Sequence, residues 1–487
     1  MTMIVAIISS RQVLTNLGVE DYGIYIVVGG IIGMMGVINT ILVSSTNRFI
    51  ALEIGKKSGN VNKIFNNSLV LHLGLAILTI ILTETIGLYY IHNFLNIPLN
   101  RIHDAVFVFH LSLLSVLFTV LAVPFNALMT SYEDFGFQAK ISMMHSFLIL
   151  IVSFLISIDG INKLRFYAVL VTLVYFLSTI LSIIHVKNKY NFLNIRLEFD
   201  KEIFKNMFSF SIWMAIGTLA HVFKNQGSVI LLNLFFGSVV NAAYGLALMV
   251  NTQINQFSQN VNRAFSPQIT KNYANGNNFA SKSLAMQSSR YAFFMLFIIC
   301  IPVFIELDYI YTLWLKEPPQ YTVEFSRWML IESLFVNLNI GIAIYVFATG
   351  KVKLYQVFTN LIYMLNIPIA YSFFYLGFPP IVIAIGSLLA VLLMMFTRHI
   401  ILNKLFNLSF SSYFFEVYSP ALKVLLPILP LIFFFSESSS NFFGFVCRAF
   451  FEFSITLCSV WFLGLKNKER EYVRNFLTLK YSSYVKS

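Results

Sequence analysis

The chain has 487 residues, of which 58% are hydrophobic and only 11% are charged. Because soluble domains carry about 25% charged residues, this composition excludes an ordinary soluble protein and indicates a polytopic membrane protein. The formal net charge of +12 does not indicate nucleic-acid binding, because the basic residues lie in short runs between apolar segments.

Fourteen apolar segments are predicted to be helices that cross a membrane, which requires about 20 residues each. The first is short, and we interpret it as a clipped helix that lacks the basic region and cleavage site of a signal peptide. The predicted spans are, in chain order, 1–17, 22–43, 69–91, 106–128, 137–158, 166–186, 209–236, 239–261, 291–313, 325–348, 355–376, 381–401, 419–435 and 443–465. The predicted fold class is therefore all-α.

The longest basic connection separates two sets of six spans. Its Leu, Ile and Phe spacing predicts an amphipathic helix at the membrane surface. An even number of spans in each set gives parallel repeats that enclose a central cavity. The predicted organisation is a six-helix lobe over 1–186, a cytoplasmic amphipathic linker over 187–206, a second six-helix lobe over 207–402, two additional helices over 403–465 and a basic cytoplasmic tail over 466–487.

A sequence echo supports two related halves. In each half a Tyr-Gly pair precedes an Asn-Arg pair and then a Gly-Asn pair, although the gaps between them differ. The pairs begin at Tyr22, Asn47 and Gly59 in the first half and at Tyr244, Asn262 and Gly276 in the second. The loops assigned to one side of the membrane carry most of the lysines and arginines, which predicts cytoplasmic termini.

Lys224 is the first candidate for function because it lies near the middle of an apolar segment, next to Asn225 and Gln226. A charge at mid-depth of a bilayer costs about 2.5–3.5 kcal/mol, so it normally faces a wet cavity or a partner. The alternative is that Lys224 snorkels or pairs with a nearby carboxylate for packing alone. Arg48 and Arg263 are the arginines of the echo, and each could equally be an ordinary positive-inside anchor.

Motifs of nucleotide-binding and hydrolytic enzymes are absent from the sequence, which has no GxxxxGK[ST], HExxH or GxSxG. We therefore expect a transporter rather than an enzyme, with no cofactor and no metal site. The cysteines Cys300, Cys447 and Cys458 have no CxxC spacing, so neither a disulfide framework nor a zinc site is expected.

Fixed cations and amides could replace the hydration of an anionic head group, and an inside-negative potential favours its outward movement by about 2.3 kcal/mol per charge per 100 mV.

Two stretches resemble a known family: NLGVEDYGIYIVVGGI near the start and NQGSVILLNLFFGSVVNAAYGLALMVNTQINQFSQNVNRAFSPQITKNYANGN in the middle. They are similar to the Wzx-type polysaccharide flippases of the MATE-like multidrug/oligosaccharidyl-lipid/polysaccharide exporter superfamily. The resemblance implies a two-lobed, multi-pass bacterial inner-membrane protein that moves polyprenyl-diphosphate-linked glycans. Relatives often carry arginine where this chain has Tyr244, which makes Lys224 more prominent.

The predicted function is export of a lipid-linked oligosaccharide for O-antigen or a similar surface polysaccharide in lipopolysaccharide-type biosynthesis. Expected partners are this substrate, membrane lipids and polysaccharide polymerase machinery, with the transporter a monomer and no nucleic acid bound. The predicted substrate-binding residues are Lys224, Asn225, Gln226, Arg48, Arg263 and Arg290. The alternatives are a proton- or sodium-coupled multidrug antiporter of the same fold, which needs a membrane carboxylate, and a membrane glycosyltransferase, which needs a large external loop.

Overall fold

The computed structural model describes residues 2–56, 59–93, 101–157, 162–434, 439, 441–472, 474 and 475. Within these ranges the regular elements are helices. They are α1 Thr2–Gly55, α2 Val61–Leu82, α3 Leu88–Asn93, α4 Ile102–Ser131, α5 Phe135–Leu155, α6 Lys163–Lys189, α7 Lys201–Ala274, α8 Asn278–Ile305, α9 Leu307–Leu315, α10 Thr322–Asn337, α11 Ile340–Thr349, α12 Val352–Met364, α13 Asn366–Tyr375, α14 Val382–Phe406, α15 Phe410–Tyr413, α16 Ser419–Leu425, α17 Leu429–Phe434 and α18 Phe442–Ser459. Single π-turns follow α2, α15 and α18, at Thr83–Gly87, Phe414–Tyr418 and Val460–Gly464.

The two longest helices, α1 and α7, are each broken at one glycine. Gly18 has φ 78° and Gly237 has φ 80°, a left-handed backbone conformation that glycine adopts without a steric penalty. With these breaks, every predicted span overlaps a helical segment of the described chain. The all-α prediction is confirmed.

Ten helices of the described chain are long and apolar enough to cross a membrane. The number becomes eleven if α10 and α11, which are bent by 44° relative to each other, form one span. The remaining predicted spans lie in α1 and in the part of α7 after Gly237. The protein is therefore a multi-pass membrane protein, and the number of fourteen spans stays a prediction.

Asparagine side chains begin several of these helices. Asn60 accepts a hydrogen bond from the Lys63 N–H at the start of α2, and Asn277 does the same for the Ala280 N–H at the start of α8. Such caps satisfy backbone N–H groups that the first helical turn leaves without partners. The Gly-Asn pairs of the sequence echo therefore lie at matching helix N-termini, each after a helix with a glycine break.

The chain divides into two compact units: unit 1 is Met1–Thr218 with Ala274–Gly276, and unit 2 is Leu219–Tyr273 with Asn277–Ser487. In unit 1, one apolar core joins α1, α2, α4 and α6 through Ile50, Phe65, Leu128 and Val186. In unit 2, α8 packs against α10, α11 and α18. A second core of unit 2 joins α7, α10, α13 and α14. The predicted lobe boundaries remain predictions.

The predicted amphipathic helix over 187–206 is wrong for its central part. α6 ends at Lys189, α7 begins at Lys201, and residues 191–200 between them are not helical. The backbone of this connecting segment instead pairs with asparagine side chains of α2. The Asn62, Asn66 and Asn67 side chains accept from the N–H groups of residues 194, 196 and 200, and Asn66 also donates to the Asn194 carbonyl, at 2.7–3.1 Å.

An ion pair fixes the end of the connecting segment. Lys63 Nζ on α2 lies 2.7 Å from Asp200 Oδ2, and this hydrogen bond holds the pKa of the Asp200 carboxyl below its usual range. The connecting segment therefore belongs to unit 1 and is anchored to α2. In the basic tail, residues 467–472 are helical.

The bend between α10 and α11 is held from outside the two helices. Tyr413 Oη donates to the Leu338 carbonyl at 2.5 Å, and Tyr418 Oη donates to Asn339 Oδ1 at 2.9 Å. His399 Nε2 of α14 lies 2.6 Å from the same Tyr418 hydroxyl. A helix that breaks loses backbone hydrogen bonds, and these phenols supply partners at the break.

Candidate functional site

The strongest candidate site is a buried ion pair in unit 2 that contains Lys224. Its Nζ lies 3.6 Å from Oε1 of Glu332 on α10, and the two residues are only 4% and 7% exposed. Tyr363 of α12 contacts both partners, since its hydroxyl donates to Glu332 Oε1 at 3.1 Å and its ring centroid lies 5.1 Å from Lys224 Nζ. Lys224 therefore has a carboxylate partner, as one of the two sequence interpretations expects.

A polar network fixes α10 against α7 beside this pair. Ser333, the neighbour of Glu332, donates to Asn251 Oδ1 at 2.8 Å and accepts from Asn255 Nδ2 at 2.9 Å. One turn later, Asn337 Nδ2 donates to Asn255 Oδ1 at 3.2 Å. Buried networks in which donors meet acceptors restrict the helices to one arrangement, so this network positions Glu332.

Aromatic and titratable side chains of α7 and α12 lie beside the pair. The His221 ring, one turn before Lys224, lies 5.0 Å from the Tyr363 ring. Two turns before Tyr363 on α12, the Tyr355 ring lies 5.5 Å from the guanidinium of Arg398 on α14.

The predicted neighbours Asn225 and Gln226 are not both next to Lys224 in space. Gln226 is exposed, and two positions along a helix correspond to about 200°, so it points away from Lys224. Asn225 is half-buried. Tyr244, which stands where relatives often carry arginine, is 1% exposed and packs edge-on against Phe325 in an apolar core.

The three predicted arginines occupy different environments. Arg48 of unit 1 is half-buried with its guanidinium 4.7 Å from the Phe210 ring, whereas Arg263 of unit 2 is exposed. Arg290 is 1% exposed, hydrogen-bonded to Glu469 and 3.6 Å from a Glu416 carboxylate oxygen. The charge of Arg290 is already compensated within the protein.

Sequence reasoning missed the carboxylates that lie inside the apolar helices. Glu332 is the partner of Lys224, and Glu306 and Glu452 are both completely buried. The available signal was one Glu within each of the apolar stretches MLIESLF, VFIELDY and AFFEFSI. A carboxylate in a predicted span is rare enough to mark a site, but its partner depends on how the helices pack.

The chemistry available at Lys224 is anion binding rather than catalysis. The Lys224 to Glu332 distance of 3.6 Å exceeds the 2.7–2.9 Å of a direct charge-assisted hydrogen bond, so the ammonium is held by a loose counter-ion. Among the described residues, no group of three or more His, Cys, Asp or Glu is arranged to hold a metal ion. A multiply charged anion would therefore compete with a single carboxylate for one buried ammonium.

The fold is similar to that of solved transporters at low sequence identity. A MATE transporter in the bent conformation matches with a TM-score of 0.72 and 14% identity, over 82% of this chain and 91% of that one. An outward-facing multidrug resistance MATE family transporter of the MOP superfamily matches at 0.70 and 15%, over 83% and 94%. A MOP superfamily transporter from Pyrococcus furiosus, described as having a binding pocket of reverse polarity, matches at 0.68 and 15%, over 82% and 93%.

These similarities show that the chain has the MATE transporter fold. No curated protein matches its sequence. A family model does match, over residues 16–339, which is about two thirds of the chain and includes both Lys224 and Glu332. On that match, the chain belongs to the polysaccharide biosynthesis protein family.

Proposed function

We propose that this protein is a flippase for polyprenyl-diphosphate-linked oligosaccharides, which it moves across the bacterial inner membrane by alternating access to supply a surface polysaccharide of the O-antigen type. The observation that carries the proposal is the buried ammonium of Lys224, held by a loose counter-ion within a transporter fold. Family membership supports a role in polysaccharide biosynthesis. Both termini are proposed to be cytoplasmic, and the protein is proposed to act as a monomer beside the polymerase machinery.

The proposed mechanism is an exchange of counter-ions at Lys224. A diphosphate carries more charge than one carboxylate, and electrostatic attraction is stronger in a site with little water. When the diphosphate pairs with the Lys224 ammonium, the Tyr363 hydroxyl still donates to Glu332, so the released carboxylate keeps one hydrogen bond. Glu332 then re-forms the pair when the substrate leaves, which prevents Lys224 from holding the product.

The other predicted substrate-binding residues have different roles in this mechanism. Arg48 and the exposed Arg263 are proposed to attract the diphosphate before it reaches Lys224, because exposed cations act mainly on the rate of encounter. Asn225 is proposed to contact the diphosphate oxygens, whereas Gln226, which points away from Lys224, is left out of the diphosphate site. Arg290 is left out because Glu469 and Glu416 already surround its guanidinium.

The test is surface-polysaccharide display in cells that lack their own flippase. Replacing Lys224 alone would leave Glu332 buried without a counter-ion, which itself destabilises proteins. The informative variant therefore combines Lys224→Met with Glu332→Gln, which removes both charges and keeps similar side-chain volumes. We expect normal membrane levels and a loss of display of at least about tenfold, equivalent to about 1.4 kcal/mol.

The matched control is Lys205→Ala, which removes an exposed lysine from the first turns of the same helix. This variant should display polysaccharide at the native level. If the double variant restores display as well as the native chain does, Lys224 is a structural residue and the mechanism fails.

A second candidate function is a proton- or sodium-coupled multidrug antiporter. The observation in its favour is Glu332, a buried carboxylate inside a helix, which is the kind of group that a hydrophobic cation requires. If the native chain fails to restore display but raises resistance to cationic drugs, and Glu332→Gln abolishes that resistance, the antiporter replaces the flippase.

A further inference from the structure

Unit 2 contains a second group of buried charges that the proposed mechanism does not use. Glu306 lies at the break between α8 and α9, and Glu452 lies on α18; both are 0% exposed. Arg448, one turn before Glu452 on α18, has its Nε 2.9 Å from Glu306 Oε1. The two glutamates are called the α18 acid pair, and Arg448 is their cation.

Most carboxylate oxygens of the α18 acid pair have no partner among the described residues. Both oxygens of Glu452 and Oε2 of Glu306 are buried without a hydrogen bond, and Glu306 Oε1 has its ion pair with Arg448, in contrast to the usual pairing of buried polar groups. With every group ionised, two glutamates and one arginine carry a net charge of −1. An uncompensated charge in a protein interior costs several kcal/mol, so a site of this kind takes up a cation or a proton.

Other charged groups on the neighbouring elements do not compensate the acid pair. Arg448 pairs with Glu306 and lies one helical turn before Glu452. On the elements around it, Cys300 of α8 is a buried thiol, Lys423 of α16 is exposed, Asp308 of α9 pairs with Arg327 at 2.6 Å, and Arg290 of α8 pairs with Glu416 and Glu469. Among the described residues, Arg448 is the one cation that pairs with either glutamate, which leaves the group one positive charge short.

We propose that Glu306 and Glu452 together bind one proton at neutral pH. A shared proton makes the group with Arg448 neutral and gives one carboxyl an O–H that can donate to the other. The donor set favours a proton over a metal ion, because the described residues offer no third acidic, histidine or cysteine ligand arranged for a metal. The Arg448 side chain is 22% exposed, whereas both glutamates are fully buried, so the proton is bound beneath the surface of the unit.

The test is infrared spectroscopy of the protein purified in an alkyl maltoside, a detergent without carbonyl groups, at neutral pH, where a protonated carboxyl gives a C=O band distinct from that of carboxylates. The native protein should show such a band. Both Glu306→Gln and Glu452→Gln should abolish it, because each leaves one carboxylate beside one arginine. The matched control, Glu324→Gln, replaces an exposed glutamate on α10 and should leave the band unchanged.

A third variant tests the charge count directly. Arg448→Gln leaves two buried carboxyls without a cation, so both should be neutral and the band should be about twice as strong. A native protein without the band, or a band that survives in both Glu306→Gln and Glu452→Gln, would overturn the proposal. Loss of the native band when Na⁺ replaces K⁺ would show a sodium site instead.

This measurement needs no transported substrate. The proton site can therefore stand if the flippase proposal fails, and it can fail while polysaccharide display still depends on Lys224.

Discussion

Arg290 and Arg263 are two arginines of unit 2 that the sequence places in similar roles and the structure places in opposite surroundings. Arg290 is buried among Glu416, Glu469 and the Tyr291 ring, whose centroid lies 5.4 Å from its guanidinium. Arg263 is exposed. A buried charge that loses its partner destabilises a protein by about 3–5 kcal/mol, whereas an exposed substitution changes stability by less than about 0.5 kcal/mol.

The contrast between Arg290 and Arg263 gives a prediction that separates stability from transport. Arg290→Ala should lower the thermal stability of the detergent-purified protein by an amount equivalent to about 3 kcal/mol, because it leaves Glu469 without its arginine. Arg263→Ala should leave the unfolding temperature unchanged and reduce only the rate of polysaccharide display. Equal unfolding temperatures for the two variants would contradict the structural role of Arg290.

At the scale of single residues, the sequence reveals charged side chains but not the residues that pair with them. Lys224 was identifiable because it stands alone in an apolar segment, yet its carboxylate, Glu332, is 108 positions later in the chain. Hydropathy is summed along the sequence, whereas an ion pair depends on which faces of two helices meet. For the same reason Arg290 was predicted to be a substrate contact, although α8 buries it against the π-turn at Phe414–Tyr418 and the tail.

At the scale of an element, the connecting segment over residues 191–200 also has contacts that the sequence alone does not reveal. Its Leu, Ile and Phe residues have helical spacing, but several of its backbone N–H groups pair with side chains of α2 rather than with the carbonyls of a helix. Local pattern could not reveal this, because the competing partners are asparagines more than 120 positions earlier. The asparagine caps of α2 and α8, by contrast, depend only on neighbouring residues and could be predicted from the sequence.

Removing one of these asparagine side chains should release the segment without unfolding the unit. Asn66→Ala removes the acceptor of the Arg196 N–H and the donor to the Asn194 carbonyl, each worth about 0.5–1.5 kcal/mol. Hydrogen exchange measured by mass spectrometry should then become faster over residues 191–199 and stay unchanged in α4. The control Asn188→Ala replaces an exposed asparagine at the end of α6 and should change neither. Unaltered exchange in Asn66→Ala would rule out the anchoring role.

For the whole molecule, composition and hydropathy were sufficient to predict an all-helical membrane protein. Backbone groups without hydrogen bonds are costly in lipid, and a helix satisfies these groups within its own segment. The number of spans is harder to predict, since the polar part of α7 after Gly237 and the bent pair of α10 and α11 depart from a simple apolar helix.

The count of fourteen spans makes a prediction about sidedness. Reporter domains fused after Lys56, within the connecting segment at Glu198 or after Lys468 should all be cytoplasmic, because an even number of spans separates each pair of these sites. A reporter inserted at Gln320, between α9 and α10, should lie on the opposite side. If the reporter after Lys468 lies outside the cell, an odd number of spans is present and the topology is wrong.

The bend between α10 and α11 links the last helices of the chain to the middle of unit 2. The Leu338 carbonyl and the Asn339 side chain lie at a break in a membrane helix, and both receive hydrogen bonds from Tyr413 and Tyr418. Straightening α10 and α11 would pull these acceptors away from their phenols. The region after α14 therefore holds the bend: in a chain shortened to end at Phe406, the Leu338 carbonyl and the Asn339 side chain would lose these partners, and α10 and α11 would be free to straighten.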